Sequence, residues 1–128
     1  MNGPEYTTFE VQPPRVQMSE SRLRRTYIVS WGDERFVNEI GREVYKTYFV
    51  EMKGDLRYDA LISAIVSKRY AEADVTAIFL NYINRDNVSA AKAAEYMAEY
   101  EALQAWRAEA KRVAAEAMAY ARERGWIE

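Results

Sequence analysis

From Ser89 to Arg124 the chain reads as one alanine-rich helix, and at 1.5 Å per residue that helix is about 50 Å long. In a chain of 128 residues this is the strongest constraint on the fold. A rod of that length overhangs a small domain, so the rest of the chain must pack along it or leave part of it projecting. Asn87 or Ser89 can cap its start, and Gly125 supplies the stop signal. Within "YMAEYEALQAWRAEAKRVAAEAMAYARERGW", Leu103, Ala110 and Ala117 fall at position a of a heptad, with Trp106, Val113 and Tyr120 at d, over about three heptads. Small residues facing large ones allow a close helix–helix approach. Alanine also has the highest intrinsic helix propensity, so the rod can form where its surface is poorly covered. Glu95, Glu99 and Glu101 precede Arg107, Lys111, Arg112, Arg122 and Arg124, which suits the macrodipole. Two readings of the seam stay open: it closes on the chain's own helices, or it joins a partner.

Two shorter helices precede the rod. In "YDALISAIVSKRYAEADVTAIFLNYIN", Tyr58, Leu61, Ile62, Ile65 and Val66 form an apolar stripe. Val75, Ile78, Phe79, Tyr82 and Ile83 repeat its spacing. A helix-turn-helix that reads DNA needs donors and cations on the outer face of its second helix. That face here offers Thr76, Ala77, Leu80, Asn81 and Asn84, which is neutral and partly apolar. The connection "KRYAEAD" lacks the glycine common in that turn. The stripes therefore predict a helical hairpin closing over one face of a sheet.

Residues before Gly54 read as strands. "TTFEV" alternates Thr7, Phe9 and Val11 with polar positions until Pro13 and Pro14 end the run. "LRRTYIVSW" puts Leu23, Tyr27, Val29 and Trp31 on one face, and Gly32-Asp33 then reads as a turn. Phe36, Val37, Ile40 and Val44 also have helical spacing after Asp33, but the β-branched and aromatic content of "EVYKTYFVEM" and the turn residues Gly41-Arg42 favour strands.

Composition narrows the chemistry. The chain has no cysteine and no histidine, which removes disulfides, thiolate catalysis, Cys- or His-bound metals and any Ser-His-Asp relay. A net charge of −2 with mixed signs gives no footprint for duplex DNA. No phosphate-binding loop is present. Asp55 and Asp59, beside Glu43 and Glu51, read as helix-start acids rather than a hard-cation site. Ser63 and Ser67 near Lys68 and Arg69 read as solvated helix positions, since no nucleophile elbow accompanies them. Asn87-Val88-Ser89 matches the glycosylation sequon by chance, because "MNGPEYTTFEVQPP" has neither a basic start nor an apolar export core. Most of the ten tyrosines and three tryptophans fall at core positions, and Trp126, beyond Gly125, is expected to dock back on the domain.

The strand-rich start followed by the "SKRY" helix end, the "AIFLNY" second helix and the "EYEALQAWRAEAK" third helix resembles small proteins of unknown function encoded among tail-fibre and virion genes in prophages of gut bacteria. The likeness lies in the C-terminal half, and residues 1–54 add little. It implies a structural or assembly setting and carries over no site residue.

The expected architecture is α+β in a single domain spanning 1–128. A small antiparallel β-meander (about 6–52) is followed by a helical hairpin (about 55–84) and a long C-terminal Ala-rich helix (about 89–124). The expected role is that of a non-enzymatic prophage structural, assembly or adaptor protein, cytoplasmic or part of the virion, with a protein partner or a second copy as its ligand. Tyr96, Leu103, Trp106, Val113, Tyr120 and Trp126 are the candidate interface. No cofactor, metal, membrane or small-molecule ligand is implied. The alternative is a nucleic-acid-binding regulatory module using Arg22, Arg24 and Arg25 beside Tyr27, although arginines on an edge strand also serve to block edge-to-edge pairing.

Overall fold

In the computed structural model, which describes residues 6–9, 14–20 and 24–128, the first part of the chain forms a four-stranded antiparallel sheet. Its strands are β1 (Tyr6–Phe9), β2 (Val16–Glu20), β3 (Arg25–Val37) and β4 (Glu43–Lys53). β2, β3 and β4 make an antiparallel meander, as the expected fold class has it, but from other strands than the sequence suggests. β1 adds to the other edge of β4, so the order is β1-β4-β3-β2. Glu10, Val11, Pro13, Arg22 and Leu23, which carried parts of the strand assignments, lie outside the described residues. β2 was not anticipated, because "VQMSE" offers only Val16 and Met18 as apolar alternates. These two pair with Val29 and Tyr27 of β3. Across the next ladder Tyr27 faces Met52, Val29 faces Val50 and Trp31 faces Tyr48, a period-2 row that supplies the sheet's contribution to the core.

Gly32-Asp33 is not a turn. β3 runs through it, and the pairing jumps from Trp31 opposite Tyr48 to Glu34 opposite Lys46. Two residues thus face Thr47 alone, which is a β-bulge with glycine in the left-handed region at φ +69°. The bulge turns the almost wholly buried Asp33 carboxylate toward Thr47, whose Oγ1 donates to it at 2.9 Å, and toward Arg15 at 3.6 Å. A Cβ on Gly32 would stand 3.0 Å from Tyr48 Cδ2, whereas Gly41, at φ +80°, has nothing within 4 Å. Both Gly→Ala variants carry the left-handed penalty of about 1–2 kcal/mol. Gly32→Ala is expected to lose the more stability of the two in urea unfolding, and the difference measures the Tyr48 contact.

The true reversal lies in residues 38–42. Asn38 Oδ1 accepts from the backbone N–H groups of Ile40 and Arg42 at 3.2 and 2.9 Å, an Asx arrangement that holds the hairpin closed. Residues 34–37 are therefore strand, as the β-branched content favoured.

After Gly54 come α1 (Tyr58–Ser67), α2 (Glu72–Ile83), a short 3₁₀ turn (Arg85–Asn87) and α3 (Ala90–Glu123). Ser89 is the N-cap of α3, its Oγ accepting from the Lys92 N–H at 3.2 Å. The chain leaves the helix at Gly125, as expected. The N-cap of α1 is Arg57 and makes no side-chain cap, so Asp55 does not cap it. Asp59 sits in the first turn, where its charge suits the dipole.

The buried residues of α3 run from Leu103 to Ala121, and none of its first turns, up to Ala102, is fully buried. α1 and the sheet pack on the buried stretch, while α2 lies along the earlier part of α3. α1 and α2 each rest on α3 rather than on one another, so α3 is the axle of the helical layer.

Candidate functional site

Three of the six expected interface residues are consumed inside the chain. Leu103, Trp106 and Val113 belong to the same buried cluster as Tyr27, Val29, Trp31 and Val50 of the sheet and Leu61 and Ile65 of α1. The heptad seam is thus an intramolecular one, because a sheet and a helix of the same chain occupy the grooves a partner helix would need. Tyr120 and Trp126 are half-buried, with ring centroids 6.1 Å apart, and the Trp126 carbonyl accepts from Arg25 Nη1 at 2.9 Å. The tail therefore docks back, as expected. Tyr96 is half-buried on the early part of α3 with Lys92 Nζ 5.5 Å over its ring.

The arginine strand is also committed. Arg22 lies outside the described residues, and Arg25 pairs with Glu20 at 3.2 Å besides its bond to Trp126. Arg24, Arg25 and Arg57 do line an open cleft of about 750 Å³, but Asp55 and Glu128 line it too, so its charge is mixed. Among the described residues no group of three or more acidic, histidine or cysteine side chains can hold a metal ion. Ser67 Oγ donates to the Ser63 carbonyl at 2.8 Å, which spends its proton on the helix backbone. Arg112 holds the Glu109 carboxyl below the ordinary carboxylate range by a direct hydrogen bond, and it also pairs with Glu116 at 2.9 Å on the exposed side of α3.

What the geometry does leave open is apolar. Ile83, assigned to the core stripe of α2, is 69% exposed, and Leu80, one turn before it, is 55% exposed. The reason lies beneath α2. Its main support is α3, through Phe79 edge-on to Tyr100 at 5.7 Å and Tyr82 stacked on Tyr100 at 3.8 Å, and one supporting helix cannot cover a full stripe. Val88, beyond the 3₁₀ turn, is exposed as well. Ile40, at the β3–β4 reversal, is 80% exposed, and Arg35 pairs with Glu43 across the ladder behind it.

A second apolar feature follows from the separation of α1 and α2. An open groove of about 660 Å³ lies between them, with Ile62 and Val66 on one wall, Val75 and Phe79 on the other, and Arg107 of α3 reaching into it. Tyr58, which began the α1 stripe in the sequence, is exposed and outside this groove. The half-buried state of Ile62, Val66, Val75 and Phe79 was not legible from periodicity, which marks an apolar face without saying how much of it a neighbour covers.

No helix of the described residues is long and apolar enough to cross a membrane. Comparison with family models, with curated proteins and with solved structures finds no match to this chain.

Proposed function

We propose that this chain is a non-enzymatic assembly or adaptor protein of a prophage virion region, acting through protein contacts of its helical part. The observation that carries the reading is the outer face of α2, where Leu80 and Ile83 stand exposed one turn apart on an otherwise neutral surface. Grouped apolar side chains with a polar surround form the kind of surface a protein partner covers. The resemblance of the C-terminal half to small proteins encoded among tail-fibre and virion genes supports the same setting.

Light scattering across a dilution series tests the self-association arm. At high concentration the mass is expected to rise above the 14.9 kDa of one chain. The double variant Leu80→Ser/Ile83→Ser is expected to remain at that mass with an unchanged circular dichroism spectrum, since surface substitutions of this kind alter stability by no more than about 0.5 kcal/mol. A wild-type chain that stays monomeric at every concentration overturns self-assembly.

A further inference from the structure

We propose that the groove between α1 and α2 docks a single amphipathic helix of a partner protein, one carrying an acidic side chain at one end of the contact and a basic side chain about two turns away. The inference rests on the reading that the chain works through protein contacts, and it names the chemistry of the partner. Ile62 and Val66 are four residues apart on α1, and Val75 and Phe79 are four apart on α2. Each wall is thus an i, i+4 ridge, the spacing into which the side chains of a third helix pack. A trough bounded by two such ridges is the geometry in which an amphipathic helix seats anchors at i, i+4 and i+7.

The charges select the occupant. Arg107 is half-buried in the groove and lies 5.9 Å from the centroid of the Phe79 ring. Among the described residues its guanidinium meets no carboxylate within ion-pair distance. The cation faces the Phe79 ring rather than a carboxylate, and a partly desolvated arginine is the group best suited to a bidentate carboxylate bond. At the opposite end, Glu72 stands exposed in the first turn of α2, also without a cationic partner among the described residues. Seven positions of α2 separate Glu72 from Phe79, or about 10 Å along the helix axis. A matching helix therefore sets an acid against Arg107 and a base against Glu72, about seven positions apart, which fixes both its register and its direction. The groove is open to solvent. An acyl chain with a carboxylate head answers Arg107 alone, whereas a helix carrying an acid and a base answers both Arg107 and Glu72.

The test is selection from a displayed library of amphipathic helices about five turns long, with leucine at i, i+4, i+7 and i+11 and all other positions randomised, panned on the full chain. Enriched helices are expected to carry an acid and a base about seven positions apart. They should bind Arg107→Glu at least about tenfold more weakly, and exchanging the acid for lysine should restore binding to that variant. Val66→Glu, on the half-buried wall, should abolish binding while circular dichroism shows both variants folded. Absence of enrichment overturns the proposal, as does enrichment indifferent to both substitutions, or Arg107-dependent binding of laurate with no helix selected. Helices lost to Leu80→Ser/Ile83→Ser instead overturn the groove while keeping a protein-contact role. The self-association arm of that broader reading is tested separately, by light scattering.

Discussion

Trp106→Ala is expected to lower the unfolding free energy by about 3–5 kcal/mol, the range for truncating a buried tryptophan, and so to leave the chain close to unfolding at room temperature. The indole is 8% exposed and its ring centroid lies 6.3 Å from that of Trp31 in β3. Its Nε1 donates to the Ile65 carbonyl at 3.2 Å. That carbonyl, near the end of α1, also accepts from the Lys68 N–H at 3.1 Å, so the indole fills its second lone pair. One side chain of α3 thus ties the sheet to α1. Trp106→Phe keeps one aromatic ring in the site but loses the donor and the volume of the indole's second ring, so its loss should be smaller than that of alanine, about 1–3 kcal/mol. Urea unfolding followed by circular dichroism separates the two. Were Trp106→Ala instead to lower oligomer mass with the spectrum and the urea midpoint unchanged, the seam would be intermolecular and the packing described above wrong.

How much of this was readable in advance depends on whether a feature is local. Ser89 and Gly125 bound α3 because capping and stopping are properties of a few adjacent residues, and both ends fell where the sequence set them. Residues 34–37, whose spacing suits a helix as well, are strand, the preference set by the β-branched and aromatic density of the adjoining run 43–52, which is a local property. Gly32-Asp33 suits a turn in the sequence and is a bulge in the fold, because a glycine beside an aspartate serves either equally well. Only the partner strand, with Thr47 opposite both residues, tells them apart. β2 escaped notice because two apolar residues do not make a pattern until Val29 and Tyr27 stand beside them.

The interaction surfaces were less legible still. Ile83 has the spacing of a core residue, and its exposure follows from α2 having one helix beneath it instead of a helix and a sheet. The groove depends on α1 and α2 lying apart on α3, and no periodicity within either helix encodes that distance. Arg107 shows the same limit. In the sequence it is one cation of several in the second half of a helix, and only the fold reveals that Phe79, not a carboxylate, lies next to it.

The heptad itself offers the sharpest separation of pattern from packing. Leu103, Ala110 and Ala117 occupy its a positions, and a coiled coil would gain from filling the two alanine layers with leucine. In this fold both alanines are fully buried, alongside Ala114 and Ala121, so the neighbouring elements approach the α3 backbone closely and no room exists for longer side chains. Each Ala→Leu change forces off-rotamer side chains or backbone shifts costing about 1–3 kcal/mol. The two sites are two turns apart, about 10 Å, where such effects add. Ala110→Leu/Ala117→Leu is therefore expected to lose about 2–6 kcal/mol in urea unfolding. Ala105→Leu/Ala115→Leu, on the exposed side of the same helix, should change stability by no more than about 0.5 kcal/mol. A gain in stability and in oligomer mass from the buried pair would mean that α3 meets a second α3, and that the close approach of sheet and α1 to the alanine stripe is not how this chain packs in solution.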